Sequence, residues 1–259
     1  MLLSVFPTGA FAADGGGAAD AETLTAMVDR YFEETGLNPE LVSVGYVCPE
    51  TGESWYHNPD KGYYSASLYK LPLMMLYAEQ ESAGELSQDS MILSWTLADI
   101  EEAVLVSSDN DIAYSVLCHL GEPQEVRRRF QRYSELPEDY FGWEFTAYSY
   151  FTARYMTDVL KTLYFEQERF PHLLERMKRA QPGHYFRLYL EGEVEVAQKY
   201  GYDVESDGSS WTHTAGVIYT PKPFLLAVMT HYGGIGENIT ADLARLFTEY
   251  TRSLDTAGE

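Results

Sequence analysis

Basic residues are scarce in this chain: 18 Lys and Arg stand against 40 Asp and Glu, a formal net charge of −22 over 259 residues. A surface so poor in clustered Lys and Arg argues against nucleic-acid and anionic-membrane partners and favours solubility. Cysteine is also rare. The two present, Cys48 and Cys118, give no disulfide framework and no metal-type spacing; one bridge between them is allowed but not required. The six histidines, His57, His119, His172, His184, His213 and His231, are scattered. With no pair at helical ligand spacing and no His-Glu-x-x-His, they read as structural or surface groups, and neither a metal nor another cofactor is expected. Past the N-terminus no segment is long and apolar enough to span a bilayer, and internal repeats are absent. Core-forming material is abundant: 45% of the residues are hydrophobic, enough for one large or two intimately packed domains.

Residues 1–12 read as the end of a secretory signal peptide, an apolar stretch followed by a small-x-small pattern. The basic n-region is missing, and a plain disordered tail is the competing reading. Residues 13–20 then form a flexible leader and residues 21–259 the working domain. On this reading the mature protein works outside the cytoplasm, secreted or in a bacterial cell envelope, as a monomer with no stable membrane span.

Leu24, Met27, Val28, Tyr31 and Phe32 recur at helical spacing before Gly36 and predict a helix over 21–35. Residues 41–48 read as a buried strand, 49–52 as a turn and 53–57 as the returning strand of a hairpin. Helices are expected over 97–106, 112–120, 122–133 and 151–165, with an irregular stretch from 135 to 149. From Gly192 the texture changes to strand, over 194–201, 213–220 and 224–230, and a helix over 239–254 closes the chain. Strands at both ends with helices between them imply an α+β fold: an antiparallel sheet formed by both chain ends with flanking helices, plus an inserted all-helical half. The sheet part takes about 21–64 and 186–259, the helical part about 65–185.

At the mouth of an apolar run stands Ser67-Leu68-Tyr69-Lys70. On a helix, residues three apart share a face, so the Ser67 hydroxyl and the Lys70 amine can meet. Near a helix N-terminus, unpaired N–H groups and the dipole would stabilise an alkoxide-like nucleophile. Taken alone, the pair reads by default as a serine cap and a solvated lysine. Two further clusters change its weight: Ser108-Asp109-Asn110 between two helices, and Lys199-Tyr200-Gly201 in a strand. Helix capping competes as a reading of Ser108 and Asn110, and an exposed edge-strand lysine as a reading of Lys199.

In this chain order the three clusters resemble the Ser-x-x-Lys, Ser-Asp-Asn and Lys-Thr-Gly signature of the serine penicillin-recognising enzymes, specifically the class A β-lactamase-like family. The resemblance covers nearly all of 21–259 and implies the β-lactamase/transpeptidase-like fold and a serine hydrolase that forms an acyl-enzyme. It makes Ser67 the nucleophile and Lys70 its neighbour in proton transfer, with a pKa lowered by burial and by a second cation, Lys199. Ser108 would relay the proton to the leaving nitrogen, and Asn110 would hydrogen-bond a substrate amide. The backbone N–H groups of Ser67 and Tyr202 would form the oxyanion hole, and Gly201 would let substrate approach the strand. Asp109 would brace the loop.

Two departures matter. Tyr200 stands where the family has a small hydroxyl residue that helps to hold a substrate carboxylate, so carboxylate recognition is not carried over, and the ring would narrow or roof the cleft. The family's deacylating base is a glutamate on an Ω-shaped loop, followed by Leu-Asn. Glu144, in Gly142-Trp143-Glu144-Phe145, is the candidate here, with Glu135 and Glu138 behind it, but Ala147-Tyr148 replaces the Leu-Asn. A solvated loop carboxylate is the competing reading of Glu144. The implied function is hydrolysis of β-lactam or related amide substrates, the partner being a small molecule or a peptidoglycan peptide. With Glu144 misplaced, a D-alanyl-D-alanine peptidase or penicillin-binding protein with slow deacylation follows. A non-catalytic ligand-binding or sensor domain and a structural cell-surface module are the alternatives from other classes.

Overall fold

The computed structural model describes residues 23–206 and 208–256; the signal-peptide and leader readings fall on residues outside these. The first helix, α1, runs Leu24–Thr35 and starts where Thr23 caps it, its hydroxyl accepting from the Ala26 N–H at 3.3 Å. Five strands follow in chain order: β1 Val42–Cys48, β2 Glu53–His57, β3 Glu195–Val204, β4 Ser210–Tyr219 and β5 Phe224–Thr230. They form one sheet in the order β2-β1-β5-β4-β3, every neighbouring pair antiparallel. The two ends of the chain therefore meet in its middle, with Val44 opposite Val228.

Both central strands are buried along their whole length. On one face Val44, Tyr46, Leu226 and Val228 pack with Val28 and Phe32 of α1 and with Leu243 and Phe247 of the C-terminal helix, Gly236–Thr256. The other face carries Val47, Ala215, Ala227 and Met229 and joins the core of the helical half. Each large apolar side chain buried in these layers contributes about 1.5–3 kcal/mol relative to exposure. Gly45 lets the layers close. A Cβ there would lie 2.1 Å from Thr157 Oγ1 and 3.2 Å from the Ala153 carbonyl, so the helix Ala153–Phe165 rests directly on β1.

The helical half departs from the expected boundaries where burial is one-sided or absent. The helix expected over 97–106 is an α-helical turn, Leu97–Glu101, followed by a π-helical turn, Glu102–Val106. The stretch expected to be irregular contains the short helix Trp143–Tyr148, in which Phe145 is the one buried residue, too few to set an apolar period. After it, Tyr150–Phe151 pair with Tyr63–Tyr64 as a separate two-stranded ladder. Cys48 is buried, Cys118 is exposed, and the bridge the sequence allows is not formed.

Candidate active site

Four contacts position the serine. Tyr64 is held through the ladder to Tyr150 and through its carbonyl, which lies 2.8 Å from His213 Nε2 on β4. The next residue, Ser65, donates its N–H to the Ser149 carbonyl at 2.9 Å, and the two serine hydroxyls lie 2.8 Å apart. Ala66 then takes a left-handed backbone, φ 45°, and Ser67 falls in a single 3₁₀ turn, Ala66–Tyr69, rather than in the α-helix itself. The helix Lys70–Ser82 follows without a break, and Pro72 in its first turn is tolerated because few N–H groups there have helical partners. Half-buried Ser67 thus lies at the amino end of a helix that is buried from Lys70 to Ala78.

Lys70 is completely buried and spends its three donors on one loop. Its Nζ donates to the Ser108 carbonyl at 2.6 Å, to Ser108 Oγ at 3.2 Å and to Asn110 Oδ1 at 2.6 Å. Ser108 is held with φ 56°, a left-handed conformation that aims carbonyl and hydroxyl at the same amine. The capping role belongs to Asp109, whose Oδ1 accepts from the Ile112 N–H at 2.8 Å and starts the helix Asn110–His119. Asn110 faces Lys70 instead.

Lys199 comes in from β3, also completely buried, donating to Ser108 Oγ at 2.9 Å and to the Tyr200 carbonyl at 2.7 Å. Two amines therefore converge on one hydroxyl away from water. Burial lowers the Lys70 pKa to about 8, against a smaller opposing pull from Asp109. It lowers Lys199 well below the ordinary lysine value, and the neighbouring charge of Lys70 pushes the same way. Both shifts favour a neutral amine within reach of Ser108.

Two residues along β3 the strand touches the serine turn. A Cβ on Gly201 would sit 2.9 Å from Ser67 N and 2.9 Å from the Ser65 carbonyl, so only glycine leaves the Ser67 N–H open to a ligand. Tyr202, next on the strand, is half exposed. The Tyr200 ring lies against this cluster: Lys199 Nζ is 4.3 Å from its centroid, the ring stacks on Tyr185 at 4.5 Å between centroids, and its hydroxyl donates to the Gln181 carbonyl.

None of the hydrogen bonds of this cluster reaches Glu144. It lies in the first turn of Trp143–Tyr148, exposed, with a carboxylate oxygen folded back towards Gly142, where a Cβ would lie 3.1 Å from it. Glu135 and Glu138 are exposed as well. Among the described residues no cluster of His, Cys, Asp and Glu suits a metal ion. His213 and the Ser65–Ser149 pair, which hold the serine turn in place, are not singled out by the sequence; the one trace they leave is a lone histidine inside a buried strand.

The family profile described as the beta-lactamase enzyme family matches residues 23–251. The chain belongs to the beta-lactamase enzyme family. Solved members of its fold have diverged far from it in sequence. A beta-lactamase from Chitinophaga pinensis superposes with a TM-score of 0.72 at 18% identity, covering 87% of this chain and 99% of its own. The TLA-3 extended-spectrum beta-lactamase gives a TM-score of 0.73 at 18% identity, covering 86% and 96%. A structure named PBP-A gives 0.71 at 15% identity, covering 89% and 97%. None of the curated proteins matches the chain. The antiparallel sheet with its helical half is thus the fold of beta-lactamases, and the family supports a hydrolase. Among the described residues of this beta-lactamase-family chain, no helix is long and apolar enough to cross a membrane.

Proposed function

We propose that the protein is an extracytoplasmic serine hydrolase that forms an acyl-enzyme at Ser67 with β-lactams or related amides. The observation that supports it most is the relay in which Lys70 and Lys199 both donate to Ser108 beside the Ser67 turn. Neutral Lys70 accepts the Ser67 proton as Oγ bonds to the substrate carbonyl carbon. The oxyanion is held by the N–H groups of Ser67 and Tyr202, and Asn110 holds a substrate amide. Ser108 then protonates the departing nitrogen, is re-protonated through the lysines, and the C–N bond breaks. Water later cleaves the ester and returns the proton to Ser67. The substrate is a small molecule or a peptidoglycan peptide, and the chain acts as a monomer, its sheet part and helical part forming the two walls of the site.

The placement of Glu144 favours a second reading within this one: a slowly deacylating penicillin-binding protein or D-alanyl-D-alanine peptidase. The three Lys70 donors are all taken by Ser108 and Asn110, and Glu144 is exposed. Intact-mass spectrometry with a chromogenic β-lactam tests both. A Ser67 adduct absent from Ser67→Ala is expected. Steady turnover indicates a lactamase, a stoichiometric burst indicates slow deacylation, and ligand affinity without any adduct replaces both with a binding domain.

A further inference from the structure

A cavity of about 730 Å³ opens at the carboxyl end of β3. It begins where the reaction centre stops. The strand meets Ser108 at Lys199 and Ser67 at Gly201. Asp203, two residues on and so on the same strand face, stands in the cavity wall. Tyr64, three residues before Ser67, is also in the wall, with Trp143, Tyr148, Tyr150 and Trp211. These rings brace one another: Trp143 meets Tyr148 edge-on at 4.7 Å, Tyr150 meets Trp211 at 6.1 Å, and Trp211 stacks on His231 at 3.8 Å.

The formal charges in the lining are all of one sign. Asp203, Glu205 and Glu144 are present, and among the described residues no Lys or Arg lines the space. Their fields reach the rings: burial and then Asp203 raise the Tyr64 hydroxyl pKa against a smaller opposing pull from Arg127, and burial followed by Glu205 and Glu144 raises that of Tyr150. Glu205 is oriented by Trp211, whose Nε1–H donates to it at 2.6 Å. Aromatic faces and carboxylates attract the same kind of group, a cation, whereas an anion here would meet three like charges.

We propose that this cavity is the subsite for a positively charged amine on the acyl portion of the substrate. The choice of the acyl portion rests on the reading of Ser67 and Ser108 given above. If the leaving nitrogen faces Ser108 at the Lys199 end, the acyl chain runs the other way along β3, towards Asp203.

Two measurements separate the subsite from that reading. In the first, Ser67→Ala protein is titrated with phenethylammonium and with phenylacetate while tryptophan fluorescence is followed. Saturable binding of the amine is expected, about tenfold or more tighter than the carboxylate and weakened by salt, and lost in the combined Asp203→Asn, Glu205→Gln variant. Equal binding, or none of the amine, overturns the subsite. The second compares acylation rates for three penicillins that differ only in an ammonium, hydrogen or carboxylate on the acyl chain. The ammonium compound is expected to lead the carboxylate by about tenfold or more, the gap closing to about twofold in the double variant while the hydrogen compound keeps its rate. Adducts formed without that order overturn the subsite and leave the Ser67 reading standing. Amine binding with no adduct from any of the three does the reverse.

Discussion

Lys70 is the residue on which the proposed rate depends. An amine acts as a base only when neutral, and burial brings this one to a pKa of about 8. At pH 7 about one tenth of it is neutral, so acylation should rise roughly tenfold towards a plateau above pH 8. Stopped-flow acylation across pH 6 to 10 checks this, and a rate still rising about tenfold per unit from pH 8 to 9 with no plateau by pH 10, as the ordinary lysine value of about 10.4 would give, removes Lys70 from the role. Gly201 makes a separate demand, one of space. In Gly201→Ala the new methyl group would press on Ser67 N and the Ser65 carbonyl at 2.9 Å. Overpacking of that kind costs about 1–3 kcal/mol, and it also fills the approach to an oxyanion donor, for which losses of about a hundredfold are usual. Calorimetry should record a modest fall in Tm and stopped flow a much larger fall in acylation; a wild-type rate would show that ligands do not use that opening. The spacing of Ser67, Lys70, Ser108 and Lys199 can be read from the chain because it follows local motifs. The partners they choose cannot. That Lys70 reaches Asn110 while Asp109 takes the cap depends on the left-handed turn at Ser108, which no propensity for serine announces.

At the scale of elements, the serine turn is pinned by a neighbouring strand as much as by its own helix. His213 Nδ1 accepts from the Thr230 N–H at 3.2 Å, which leaves Nε2 to carry the proton it donates to the Tyr64 carbonyl at 2.8 Å. One imidazole therefore ties β4 to β5 and both to the segment that enters Ser67. Replacing it in His213→Phe strands a buried N–H and a buried carbonyl, each worth about 1–3 kcal/mol. Urea unfolding should show a loss of about 2–6 kcal/mol for the two together, and hydrogen exchange should show faster opening of residues 63–67; unchanged protection there would mean the turn is held without this link. The strands themselves are open to sequence reasoning because short, mostly apolar runs bounded by turn residues carry through Val42–Cys48 and Phe224–Thr230. Trp143–Tyr148 was not, since one buried phenylalanine packed against Phe141, Phe151 and Tyr155 is a tertiary contact without a sequence period. The π-helical turn at Glu102–Val106 likewise exists through contacts distant in sequence, with Arg176 and Arg179 binding Glu102 and the Gln181 N–H meeting the Val106 carbonyl.

Across the whole molecule, two buried groups in different halves push stability in opposite directions as pH changes. In the sheet half, burial lowers the His213 pKa to about 4. The unfolded chain binds that proton near pH 6.5, so this contribution is complete above about 6.5 and is lost as pH falls towards 4. In the helical half, Glu101 is fully buried with one carboxylate oxygen unpartnered, and burial, then repulsion from Glu81, raises its pKa to about 7. Its protonated form is the one the fold favours, so its contribution is complete below about 4.5 and is lost as pH rises through 7. Between about pH 4.5 and 6.5 the two slopes, each up to about 1.4 kcal/mol per pH unit, oppose each other. Asp60 and Glu102, held low by Arg154 and Arg179, titrate below that window. Glu101→Gln removes one side of the balance. Relative to the wild type its stability should climb with pH across the window, and above pH 7 it should be ahead by up to about 3 kcal/mol. Urea titrations of both proteins at half-unit steps from pH 4.5 to 7.5 measure the difference. If the difference stays constant across the window, Glu101 ionises at its ordinary pKa, and Arg176, 3.4 Å from its other oxygen, offsets the whole effect of burial.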